Sequence, residues 1–166
     1  MIDIMAKKAA YSAMLTALAM IFGYVEVLIP FSFGIPGIKL GLANLVIVLA
    51  LYMLPVSQAL SIQVARIVLI SFLFGNMSMM LYSLAGGLLS FCVMSLLRRI
   101  QGFSVIGVSI AGGVSHNIGQ LIVAMLVVKN LKLTYYLPAL LIAGLVTGAL
   151  IGLLTQKIKP VLEKSY

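Results

Sequence analysis

The sequence predicts an all-α membrane protein, a six-transmembrane-helix bundle, and three observations carry that expectation. Of 166 residues, 63% are hydrophobic and only 8% are charged, which a soluble chain of this length could not keep off its surface. The apolar residues fall into runs of helical rather than strand length, separated by short breaks with Pro, Gly or basic residues. Basic side chains gather at the ends of those runs, where membrane proteins place them. With no low-complexity tract and no internal repeat, residues 1–166 read as one integral membrane domain.

By apolar length the spans lie at about 9–30, 41–54, 56–74, 77–97, 104–128 and 134–155. Lys7 and Lys8 precede the first run as in a signal peptide. No small-residue cleavage site follows, and the run is long enough to cross, so it is expected to be a retained first helix. The second run has about 14 residues against the roughly 20 needed, so its ends extend into neighbouring segments or it lies tilted. The loop 31–40, Phe-Ser-Phe-Gly-Ile-Pro-Gly-Ile-Lys-Leu, mixes turn formers and aromatics with one charge. It is either a lid or an interfacial connection anchored by Phe31 and Phe33. In the fourth run Cys92, the sole cysteine, permits no intramolecular disulfide and is expected as a small buried filler.

The net charge of +8 would suggest nucleic acid in a soluble chain; here topology and lipid headgroups account for it, and no nucleic-acid partner is expected. Lys7, Lys8, Arg98, Arg99, Lys157, Lys159 and Lys164 fall on one side, against Lys39, Lys129 and Lys132 on the other. That imbalance places both termini in the cytoplasm and the chain, as a multi-pass protein, in the cell membrane.

Arg66 stands in the middle of the run 56–74. An ionisable group there costs on the order of 2.5–3.5 kcal/mol on insertion scales, so it faces a cavity or a partner rather than lipid. Of the three acidic residues, Asp3 and Glu163 are near the termini, which leaves Glu26 at the end of the first run. At about 1.5 Å per residue, Glu26 lies roughly 6 Å and Arg66 roughly 12 Å inside the outer ends of their helices, a gap an arginine can close. Gln63 shares a helix face with Arg66, and His116 shares one with Gln120; Asn117 adjoins that pair and Asn44 opens the second span. Two readings follow. Either these groups converge on an outward-facing pocket that fixes a small ligand, or Glu26 and Arg66 form a structural ion pair and the amides tie helices together. His116 has no second histidine and too few carboxylates beside it, so no metal, haem or other cofactor is expected.

Small residues form a second pattern. Ala9, Ala13 and Ala17 repeat every four residues in the first span, and Gly144, Gly148 and Gly152 in the sixth; such stripes let helices approach closely. Glu26 follows Ala17 by nine residues, about half a turn net, so one face of the first helix can serve the pocket and the other a partner. Packing of either stripe inside the bundle is the alternative.

Pro36-Gly37-Ile38-Lys39-Leu40-Gly41-Leu42-Ala43-Asn44 and Ser115-His116-Asn117-Ile118-Gly119-Gln120 resemble signatures of the Gx transporter family, also labelled heptaprenyl diphosphate synthase component I. The resemblance covers nearly the whole chain. It implies a fold like the S components of energy-coupling-factor transporters, with a substrate pocket beneath the first loop. It also implies that Ala9, Ala13 and Ala17 meet an energy-coupling transmembrane subunit served by separate ATPases, since the chain has no Walker motif. On this reading Arg66 and Lys39 attract a partly apolar anion, while Asn44, Asn117, His116 and Gln120 orient it; an isoprenoid or quinone precursor is the first guess. Synthase activity of its own is not expected, because such enzymes hold magnesium diphosphates on aspartate-rich motifs and the only aspartate here is Asp3. The rival reading is a non-transporting membrane partner in quinone or prenyl synthesis, or in extracytoplasmic flavin-linked electron transfer.

Overall fold

The computed structural model describes residues 2–28 and 41–163; the loop 31–40, with Lys39, lies outside the described residues. Among them are six α-helices and no strand: α1 (Ile2–Leu28), α2 (Leu42–Met53), α3 (Val56–Phe74), α4 (Met77–Leu97), α5 (Val105–Val128) and α6 (Leu137–Glu163). A 3-10 segment, Leu131–Tyr136, leads into α6. Five helical stretches are long and apolar enough to cross a membrane, which makes this a multi-pass membrane protein. Phe72 (81% exposed) and Leu126 (70%) point out of the bundle, a position suited to lipid and not to water.

Local chemistry sets the helix limits. Asn76 Oδ1 accepts from Met79 N at 2.8 Å and Ser104 Oγ from Gly107 N at 3.1 Å, so each starts a helix by satisfying an amide that has no partner within it. Pro55 forces Leu54 into an extended conformation (φ −117, ψ 164), which ends α2 and frees α3 to begin at Val56. α5 closes at Lys129 in the left-handed region (φ 51), and Asn130 Oδ1 then accepts from Lys132 N at 3.0 Å. α6 starts later than the apolar pattern suggests, because 131–136 form the tighter 3-10 turn, and it continues past Thr155 to Glu163 with Pro160 inside it.

Two expectations need correction. Of the two expectations for α2, the extended ends are not found: it has 12 residues, about 18 Å at 1.5 Å each. It fits because it is enclosed, with Ala43 and every residue from Leu45 to Leu51 buried; a helix apolar all round belongs inside other helices. Cys92 is exposed on α4 and is not a buried filler. The side chains that fill the interior of that helix are instead Phe91 and Met94, on either side of it in sequence.

α5 and α6 meet backbone to backbone. A Cβ at Gly144 would sit 2.9 Å from Gly113 O, and one at Gly148 2.7 Å from Ile110 Cα, so the glycine stripe packs inside this bundle. On α1, Leu15 and Ala19 are buried while Ala9, Ala13 and Ala17 are exposed, so the alanine stripe stands on the helix's outward face. Tyr24 and Phe74 stack at 4.3 Å between centroids and bring the end of α1 to the end of α3.

Candidate functional site

Arg66 is buried at 8% exposure on α3 and held from two directions. Its Nε donates to Gln63 Oε1 at 2.9 Å, the partner one turn earlier, and its Nη2 donates to Asn44 Oδ1 on α2, also at 2.9 Å. Glu26 Oε1 accepts from Leu42 N at 2.6 Å, so the carboxylate of α1 caps the first turn of α2, where the helix dipole also favours a negative charge. Gly41 precedes that turn with φ 74, a left-handed conformation that a side chain would strain. Glu26 and Arg66 attract each other electrostatically. α1, α2 and α3 are thus joined by polar contacts around one buried cation.

His116 and Gln120 approach from α5 across Gly86 of α4. A Cβ at Gly86 would lie 2.7 Å from Gln120 Cγ and 2.7 Å from His116 O, while one at Gly87 would lie 2.6 Å from Gln63 Nε2. The Gly86-Gly87 pair therefore lets α4 slip between the Gln63 side and the His116 side. Asn117 is also near, but its Nδ2 donates to Leu140 O at 2.7 Å and ties α5 to α6.

Glu26, Asn44, Arg66, His116, Asn117 and Gln120 all line one cavity, so the structure brings together the polar residues of four helices expected there. Gln63 stands behind the wall as the partner of Arg66, and Ala9, Ala13 and Ala17 lie away from it. The empty space, its open part included, is about 850 Å³, of which the centre of a water molecule can occupy about 60 Å³. That is room for several waters or a compact ligand, since one water needs roughly 10–15 Å³ by that measure.

A set of hydroxyls that does not stand out in the sequence joins these residues. Ser71, Ser83, Ser90, Ser109 and Thr147 also line the cavity, and α4 and α6 share in its wall. Ser109 is 3% exposed, and its Oγ has no hydrogen-bond partner among the described residues. The signal was present: Ser109, Gly112, Gly113, His116 and Gln120 follow helical spacing on α5, and Ser83, Gly86, Gly87, Ser90 and Met94 on α4. Small and hydroxylic residues on one helical face mark a wall that leaves space.

A cavity lined by a cation, a carboxylate, amides and hydroxyls, inside a bundle of long apolar helices, defines a multi-pass membrane protein with an internal polar site. The chain belongs to the heptaprenyl diphosphate synthase component I family, whose model matches residues 15–158. No curated protein and no solved structure matches it.

Proposed function

We propose that this protein is the substrate-binding subunit of a membrane transporter, similar to S components, and that its cavity takes a small, partly apolar anion from outside the cell. The observation that carries this reading is Arg66, a buried cation at a cavity wall with its guanidinium plane fixed by Gln63 and Asn44. A guanidinium so oriented suits bidentate binding of a carboxylate or phosphate. His116, Gln120 and the hydroxyls supply orienting groups, Ile67, Ile70 and Ile151 supply apolar wall, and Lys39 is a second cation for the anion. The family's name supports an isoprenoid or quinone precursor. The limited room favours one of headgroup size over one with a long prenyl tail.

In this reading the basic residues Arg98, Arg99, Lys157 and Lys159 mark the cytoplasmic side of the cell membrane, both termini lie there, and the site opens outward. The protein is not itself an enzyme; a synthase component without an aspartate-rich motif supplies binding and not catalysis. The exposed Ala9, Ala13 and Ala17 face receives an energy-coupling transmembrane subunit, and separate ATPases drive uptake. A second reading, a membrane scaffold for prenyl or quinone synthesis, is favoured by the family's name and by Asn117 and Glu26 serving helix contacts.

Native mass spectrometry of gently purified protein tests the proposal. The wild type should release a small anion, Arg66→Ala should be folded but empty, and Arg66→Lys should retain a fraction of it, because an ammonium lacks the planar fork. A wild type without any retained molecule, or an Arg66→Ala that keeps it, would favour the scaffold.

A further inference from the structure

At the end of the bundle away from Glu26 and Gly41, a second group of charges has no part in the cavity. Arg98, the residue that closes α4, places its guanidinium carbon 5.6 Å from the centroid of the Tyr52 ring, and Lys159 of α6 places Nζ 5.4 Å from the same centroid. Tyr52 is the penultimate residue of α2, the helix otherwise enclosed by its neighbours. Each cation gains from the negative face of the ring, yet two like charges stand within the 11.0 Å that the two distances together allow. Counter-charge is scarce. Lys159 meets Glu163 Oε1 at 3.5 Å on a half-exposed side chain, and no ion pair to Arg98 is found among the described residues. Arg98 Nη1 is buried without a hydrogen-bond partner among them, as is Ser95 Oγ, three residues earlier on the same face of α4.

We infer that Arg98 and Lys159, seated on Tyr52, hold the phosphate of an anionic membrane lipid. A phosphate's charge relieves the repulsion between the two cations, and its oxygens can accept from the guanidinium and from the ammonium. Location argues for a lipid over a soluble anion. Arg98 caps the end of α4, Lys159 stands just before the last turn of α6, and Leu96 (64% exposed), two residues before Arg98 on the membrane side, lies where an acyl chain would run. The helices that end here present their C-termini, whose dipoles repel an anion, so the side chains and not the backbone do the holding.

The test is native mass spectrometry of the full chain titrated with phosphatidylglycerol or phosphatidylcholine, for the wild type and for the Arg98→Gln, Lys159→Gln double variant. The wild type should hold phosphatidylglycerol at least fivefold better than phosphatidylcholine. The double variant should lose that preference, a double variant Arg98→Lys, Lys159→Arg should recover part of it, and millimolar inorganic phosphate should not displace the lipid. Equal retention of the two lipids by the wild type overturns the inference whatever the variants do. Full preference in the glutamine double variant also overturns it, and displacement by inorganic phosphate shows a soluble-anion site in place of a lipid one.

Discussion

Replacing Gly148 by alanine should weaken the fold, although alanine is the better helix former by about 1 kcal/mol. The new Cβ would lie 2.7 Å from Ile110 Cα, 2.8 Å from Ser109 O and 3.1 Å from Ile110 N, where ordinary contacts run from 3.4 to 4 Å. All three are backbone atoms, so no rotamer change makes room, and α6 must retreat from α5 by roughly 1 Å. Overpacking of this kind costs about 1–3 kcal/mol, which the propensity gain offsets only in part. Gly107→Ala is the matched control: its nearest neighbours, Ser104 Oγ at 3.5 Å and Phe103 Cδ1 at 3.6 Å, leave space, so propensity alone should act and stability should rise by up to about 1 kcal/mol. Reversible unfolding in mixed micelles, followed by helicity, reads the difference. Ser109 and Thr147 line the cavity beside this seam, so Gly148→Ala should also weaken ligand retention. A Gly148→Ala protein as stable as Gly107→Ala would refute the close-packed seam.

Glu26→Ala should cost about 1–3 kcal/mol, because Leu42 N loses its acceptor and Arg66 an opposing charge, whereas Glu26→Gln keeps an acceptor and should cost less; equal stability of both with the wild type would remove the cap from the account. In intact cells a membrane-impermeant amine reagent should label Lys132 and spare Lys159, and the reverse pattern would turn the cavity toward the cytoplasm. Leucine at both Ala13 and Ala17 should leave the isolated protein folded and able to hold ligand while uptake and partner capture fall together. Unchanged uptake would sever the alanine face from transport.

Helix identity was legible because hydrocarbon length is an unambiguous signal: the limits of α3 and α4 coincide with the apolar runs 56–74 and 77–97. α2 was harder, since a run of about 14 apolar residues does not say whether lipid or protein surrounds it. Cys92 failed for the same reason, as a small apolar side chain in a membrane helix is equally at home on either face. At the site, Arg66, Asn44 and Gln63 were found through the cost of burying charge and amides. The direction of their bonds was not, because whether Asn44 serves a ligand or Arg66 depends on a rotamer and not on spacing. Serines 90 and 109 went unseen because serine is a common residue of membrane helices, and only their register with Gly86, Gly112 and His116 gives them away.

The shortness of α2 has a consequence for how the site exists at all. Arg66 bonds to Asn44 in the first turn of α2, yet α3 runs on for eight more residues to Phe74, about 12 Å further along its axis. The first turn of α2 is therefore set back below the rim that α3 reaches. Gly41, Asn44 and Val48 follow one another along the cavity wall, so α2 flanks the space and begins within its depth. One added helical turn at Gly41 would lengthen that wall by about 5.4 Å and carry the first amide of α2 away from the Glu26 carboxylate that now caps it.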